Sequence, residues 1–311
     1  MELAAAQTME ELNHRETRNV LIDKLIRAYE IDTEDIADCV ELYYDAQDLR
    51  IAHANKERSE GPGELKSWFA YWLQIGESVI KSKLDNWVNS KKSPPEAKWA
   101  YSQVGIGAII ASGLAAHIDV ARANTVSSLW KFAGMAPGFD KRIKSQKLQY
   151  NSRLKVLCWK AGQSFVKVSG KDGATYGKLY VRFKAEEVTR NEGGLYAVQA
   201  RTELEKKNFR LETLTRKRLE AGKLSDAHLH ARACRRTVKI FLADYWLVAR
   251  KAKGLSVNKP YAIDILGHSG LIDNVSQSGQ SKPIDRERAN WPKQSIAKER
   301  KPQQPEKPKA I

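Results

Sequence analysis

The sequence predicts a mostly α-helical protein: a helical N-terminal region, a helical domain containing a helix-hairpin-helix element, and a disordered basic tail. Ala, Leu, Glu, Lys and Arg are abundant, and these residues favour helices over sheets. Apolar residues recur every three or four positions, without an internal repeat or a series of alternating strands. Beyond about residue 270 this periodicity ends, and Gly, Ser, Pro, Gln and Lys dominate. We place the three parts at residues 1–95, 96–268 and 269–311.

The N-terminal region is expected to form antiparallel helices. Residues 15–57 carry two apolar stripes, and Asp32 or Thr33 would cap the second helix. Residues 64–90 have large apolar side chains at spacings of three and four, which we expect to cover the earlier helices. The apolar positions are Val20, Leu21, Leu25 and Ile26, then Ile36, Val40, Leu42, Tyr43 and Leu49, then Trp68, Trp72, Ile75, Val79, Leu84 and Trp87.

Capping residues predict the helices of the second domain. Pro94 and Pro95 would open a short helix, and Thr125 would cap a helix that stops at Gly134. Later helices are expected after a cap at Asn151 or Ser152, over residues 174–220 with a break at 191–194, and over 225–253 after a cap at Ser225 or Asp226.

The charge balance points to a polyanionic partner. Lys and Arg number 53 against 37 Asp and Glu, which gives a net charge of +16 and a pI near 9.6. DNA is the simplest partner for such an excess, and RNA is the alternative. A basic surface that serves only solubility would give the same composition.

The cysteine pattern and the termini favour a reducing, cytoplasmic location. Cys39, Cys158 and Cys234 are isolated within apolar helical patterns, so we expect small core residues and no disulfide or zinc site. No signal peptide and no stretch of about 18 apolar residues is evident, so no membrane partner is expected.

A metal site is not expected either. His228 and His230, with Cys234 and His268, are the conceivable ligands, but residues two apart on a helix point about 200° away from each other. No cofactor is evident, and Mg²⁺ would enter only if the chain were a nuclease or recombinase.

Residues 102–118, "SQVGIGAIIASGLAAHI", predict a hairpin between two helices. Gly105 and Gly107 would allow positive φ and bring the backbone close to a phosphate, while Ile106 plugs into the core. The helix starting at Ala108 would then present free N–H groups to the anion. A tight core turn is the alternative. If the hairpin holds DNA, Val at both glycines should weaken binding without unfolding the chain.

Two basic clusters with nearby aromatic rings extend this candidate interface. The basic residues suit contacts with phosphates, and the aromatic rings suit stacking on bases. The alternative is that the basic residues form ordinary solvated helix faces and the aromatic rings belong to the core. The first cluster comprises Lys141, Arg142, Lys144, Lys147 and Arg153, with Lys155 beside it. The second is the helix face of His228, Arg232, Arg235 and Lys239, with Arg236 adjoining. The aromatics are Trp130, Phe139, Tyr150 and Trp159, of which helical Trp130 and Trp159 fit a core position better.

Four segments in order resemble the C-terminal domain of the bridge-RNA-guided insertion-sequence transposases. They are "VGIGAIIASGLAAHI", "SSLWKFAGMAP", "NSRLKVLCWKAGQSFVK" and "ARACRRTVKIFLADYW", within residues 98–250. The resemblance implies a transposase-like DNA-binding protein of a mobile element or phage. That family also has an N-terminal RuvC-like nuclease domain, which the helical pattern of residues 1–95 does not match.

The resemblance also implies a serine nucleophile in the segment after "FAGMAP". The only serine there is Ser145, which lies among basic residues without the glycine-rich surroundings of the family. Three functions stay open: a DNA-binding protein of low sequence specificity, an active transposase or recombinase that uses Ser145, and an RNA- or protein-binding scaffold. The N-terminal helices are the candidate surface for a homo-oligomer.

Overall fold

The computed structural model describes residues 15–61, 63–139 and 144–257. These ranges hold eleven α-helices and no β-strand, which confirms the prediction of a mostly α-helical protein. The predicted tail at 269–311, His268, Lys141 and Arg142 lie outside the described residues. The helices are α1 (Arg15–Ala28), α2 (Ile36–Glu60), α3 (Glu64–Asn89), α4 (Pro95–Ser102), α5 (Ala108–His117), α6 (Val126–Phe132), α7 (Ser152–Lys167), α8 (Thr175–Glu192), α9 (Ala197–Lys206), α10 (Leu214–Glu220) and α11 (Asp226–Ala252).

The first three helices pack side by side. Arg50 of α2 bonds Glu77 of α3 at 2.5 Å, whereas Glu57 accepts from Ser67 at 2.8 Å, so these two helices run antiparallel. On another side of α3 lies α1, where the Lys83 ammonium donates to the Ile26 carbonyl at 2.9 Å. This bond satisfies a carbonyl at the C-terminal end of α1.

One hydrophobic core joins the N-terminal helices to the later ones. Val40 of α2, Leu84 of α3, Leu114 of α5, Leu157 of α7 and Phe241 of α11 belong to the same buried cluster. A core shared by these helices fixes α3 relative to the predicted hairpin, because packed interiors deform little. The domain boundary at residue 95 stays a prediction.

Side-chain caps begin three of the helices as predicted. Thr125 accepts a hydrogen bond from the Ser128 amide at 3.1 Å, and Asn151 and Ser225 cap α7 and α11 in the same way. The predicted cap of α2 at Asp32 or Thr33 is wrong. The N-cap residue is Asp35, whose carboxylate instead accepts from the Asp32 amide at 2.8 Å.

The apolar stripe of α3 is only partly buried. Ile75 and Val79 are buried as expected, together with Leu84 and Trp87. Trp68 and Trp72 are 43% and 61% exposed, so the prediction that they cover the earlier helices is wrong. The described hydrogen bonds between α1 and α3 lie further along α3, at Ser78 and Lys83, so they hold α1 beyond both tryptophans. Within the described residues, no helix has the length and apolar character needed to cross a membrane.

Candidate nucleic-acid interface

The hairpin connects α4 to α5 through residues 103–107. Gln103 is the C-cap of α4, and its carbonyl accepts from the Ile106 amide at 2.9 Å. Ile106 is only 5% exposed and belongs to the main core, as expected of the residue between the glycines. The Ser164 hydroxyl of α7 donates to the Gly105 carbonyl. The turn is therefore held to the core at both Gly105 and Ile106.

The two glycines have different roles, which corrects the expectation that both supply a positive φ. Gly105 has φ +104°, and a Cβ there would lie 3.0 Å from Val168 Cγ2. Gly107 has φ −92° and ψ 172°, an extended conformation open to any residue, and a Cβ there would meet no atom within 4 Å. Valine at Gly105 would therefore strain the fold itself, so the double valine variant cannot separate a loss of DNA binding from a loss of stability. Of the two hairpin glycines, only Gly107 borders open space.

The N-terminus of α5 carries no side-chain cap. The amides of Ala108, Ile109 and Ile110 have no acceptor within the helix, since the first turn of any α-helix leaves its N–H groups unpaired. The first of these residues, Ala108, lines a groove of about 820 Å³, which we call the hairpin groove. Its walls are the turn at residues 101–108 and five polar residues of α3: Ser78, Lys81, Ser82, Asp85 and Asn86.

The α3 side of the hairpin groove is polar and carries charge of both signs. Lys81 is exposed, and Ser82 and Asn86 add hydrogen-bond donors. Asp85 also lines the groove, where its Oδ1 accepts from the Tyr101 hydroxyl at 2.6 Å. Sequence reasoning missed these α3 residues because residues 64–90 were interpreted only as a core helix. These polar residues recur at spacings of three and four, and this pattern could have identified them as one face of α3.

The basic face of α11 packs partly against α8. Arg232 donates to Glu187 at 2.7 Å and lies over the Tyr196 ring, with its Cζ 4.4 Å from the centroid. Arg236 donates to Glu186 at 2.5 Å and lies over the Phe183 ring in the same way. Carboxylates thus already offset these two charges, and the proposed interface does not include them.

The remaining residues of that face differ in exposure. Arg235 is exposed, whereas burial, followed by repulsion from Arg235, lowers the pKa of Lys239. The Lys239 ammonium lies 4.3 Å from the centroid of the Trp130 ring. Burial also lowers the pKa of His228, whose Nε2 is 3.3 Å from the Gln199 amide nitrogen.

Three members of the first basic cluster lie within the described residues. Lys144 and Lys147 are exposed, while Arg153 forms an ion pair with Glu41 of α2. We call residues 126–171 the cationic segment, because they hold ten Lys or Arg and a single acid. Such an imbalance within one stretch of chain attracts phosphate more strongly than the net charge alone implies.

No catalytic or metal-binding constellation accompanies these basic groups in the described residues. Ser145 is exposed with φ +66°, the only positive φ outside glycine in that part of the chain. No three His, Cys, Asp or Glu side chains there could hold a metal ion. His230 and Cys234 lie 3.6 Å apart, but burial raises the pKa of the Cys234 thiol to about 11, which leaves it protonated at neutral pH.

Comparison of the chain with protein-family models, curated proteins and solved structures gives no match.

Proposed function

We propose that this protein binds DNA through the sugar-phosphate backbone, with the hairpin groove as the point of contact. The observation that carries the proposal is the uncapped N-terminus of α5 behind the exposed Gly107. A phosphate oxygen could approach these amides, because no side chain occupies the space in front of Gly107. The partial positive charge of the helix N-terminus favours an anion there.

The neighbouring charges support the same ligand. Lys81 lies on the opposite wall of the hairpin groove, and the cationic segment adds Lys144 and Lys147. The site offers backbone amides, lysines and hydroxyls, which contact phosphates and not base edges. We therefore expect binding with little sequence specificity. Together with the resemblance to transposases, this suggests a DNA-binding component of a mobile element.

The proposal ends at binding and does not extend to strand transfer. Among the described residues Ser145 makes no hydrogen bond to a general base, and serine is a weak nucleophile without one. An RNA ligand would use the same phosphate contacts, so the binding assay includes RNA as a competitor. A homo-oligomer through the N-terminal helices stays a prediction.

Gly107→Asp tests the site directly. The new carboxylate would cap the α5 amides, which stabilises a helix, and would repel a phosphate at the same place. We expect affinity for a labelled duplex to fall about tenfold or more, with an unchanged or raised melting temperature. Fluorescence anisotropy and thermal denaturation measure the two quantities.

Lys81→Ala and Lys24→Ala form a matched pair that removes one exposed lysine inside or outside the hairpin groove. The first should lower affinity and reduce the slope of log K against log salt by about one, and the second should do neither. A folded Gly107→Asp variant that binds duplex DNA like the wild type would overturn the proposed function. Stronger competition by structured RNA than by duplex DNA would reassign the ligand.

A further inference from the structure

One large aromatic ring of α7 faces solvent. Trp159 is 62% exposed, although the other large apolar residues of this helix, such as Leu154, Leu157 and Phe165, are buried. Val156, one turn earlier, is 49% exposed on the same side. Within the described residues, the Trp159 ring makes no hydrogen bond and no contact with another ring or a cation. The expectation that Trp159 is a core residue is therefore wrong.

Three other aromatic rings of the cationic segment already have a cation over one face. The Lys131 ammonium lies 5.1 Å from the centroid of Phe139, and the Lys155 ammonium lies 4.3 Å from that of Tyr150. Lys239 covers Trp130 in the same way. Trp159 differs from these three because its exposure leaves a ring face open to a ligand.

The helix that carries Trp159 has charged side chains of one sign, although Glu41 of α2 pairs with its Arg153. Residues 152–167, which form α7, contain Arg153, Lys155, Lys160 and Lys167 and no acid. Trp72 of α3 is 61% exposed and offers a comparison, because Glu64 and Glu77 lie on its own helix. An open indole among cations suits a ligand that is both anionic and planar.

We propose that Trp159 stacks on an unpaired base, so that the protein binds single-stranded nucleic acid beside its duplex site. This inference rests on the proposed function and adds a second class of ligand to it. Bases within a duplex have both faces covered by their neighbours, so only an unpaired or flipped base can stack on Trp159. The lysines of α7 would attract the phosphates on either side of that base.

Competition between a single strand and a duplex of the same sequence tests the inference. Stacking on an aromatic side chain contributes about 1–3 kcal/mol per base, so Trp159→Ala should lower single-strand affinity roughly five- to 150-fold. Duplex affinity should stay within about twofold, and Trp159→Phe should retain much of the single-strand affinity. Trp72→Ala is the matched control, and it should leave the ratio of the two affinities unchanged.

The outcomes separate this inference from the proposed function. Failure of the wild type to bind either ligand overturns both. Duplex binding that depends on Gly107, together with unchanged single-strand affinity in a folded Trp159→Ala variant, overturns only the stacking inference. An equal loss for both ligands also overturns it, because it would show a general contribution of Trp159 instead of base stacking.

Discussion

At the scale of single residues, Asp244 of α11 is a carboxylate whose charge opposes folding. It accepts a hydrogen bond from the Tyr176 hydroxyl of α8 at 2.7 Å. Burial raises the pKa of Asp244 to about 6 from 3.8, although the bond from Tyr176 acts in the other direction. Because the folded pKa exceeds the unfolded one, the stability contributed by this group is fully present below about pH 4. It is lost as the pH rises through 6.

Asp244→Asn should therefore stabilise the protein at neutral pH. Asparagine keeps an oxygen that can accept the Tyr176 bond and removes the buried charge. A shift of about two pKa units corresponds to a gain of about 3 kcal/mol above pH 6, and the gain should vanish near pH 4. Urea denaturation at both pH values measures it, with the exposed Asp172→Asn as control. An equal gain at both pH values would mean that the charge of Asp244 is not its cause.

The hairpin glycines show what sequence can and cannot give at this scale. The pattern of two glycines around Ile106 correctly predicted a turn with a buried residue at its centre. It could not distinguish the glycines, because that distinction depends on Val168, which lies far away in the chain and reaches only Gly105. Open space at Gly107 is likewise a property of packing and leaves no trace in the local sequence.

At the scale of elements, helices with local signals were predictable and their partners were not. Thr125, Asn151 and Ser225 cap their helices through residues three positions ahead, so the signal is entirely local. The hairpin groove, in contrast, forms because α3 packs beside the turn at residues 101–108. Sequence alone gave no way to place Lys81 and Gly107 along the same groove, because their proximity depends on long-range packing.

The α8–α11 contact shows how a basic helix face can serve packing. Glu187 is buried, and it accepts from Tyr196 at 2.6 Å as well as from Arg232. Although burial acts to raise it, the bonds from Tyr196 and Arg232 lower the pKa of Glu187. The ion pair thus contributes stability at neutral pH that is lost as the pH falls through that pKa.

Arg232→Ala should consequently reduce stability and leave DNA binding unchanged. The substitution leaves the largely buried Glu187 carboxylate without one of its partners. Because Arg232 itself is about one-third exposed, the free energy of unfolding should fall by only about 1–2 kcal/mol. Chemical denaturation measures this loss, and the exposed Arg201→Ala is the control. A variant as stable as the wild type that has lost duplex affinity would instead place Arg232 in a phosphate track.

At the scale of the whole molecule, the positive charge is unevenly distributed along the chain. Residues 30–64 hold eleven acids and three Lys or Arg, whereas the cationic segment holds one acid and ten. The shared core joins helices from both stretches, since Val40 and Leu157 belong to one cluster. A polyanion is attracted most strongly to the part of such a body where the exposed positive charges are concentrated.

Two charge-reversal pairs separate this local attraction from the effect of net charge. Lys144→Glu with Lys147→Glu, and Lys24→Glu with Lys206→Glu, each change the net charge by the same amount at exposed positions. If the cationic segment holds phosphates, the first pair should weaken duplex binding about tenfold or more and reduce the salt slope by about two. The second pair should change both quantities little, because distant exposed charges are screened beyond roughly 10 Å. Anisotropy titrations over a range of salt concentrations measure both. Equal effects of the two pairs would mean that net charge, and not the cationic segment, drives binding.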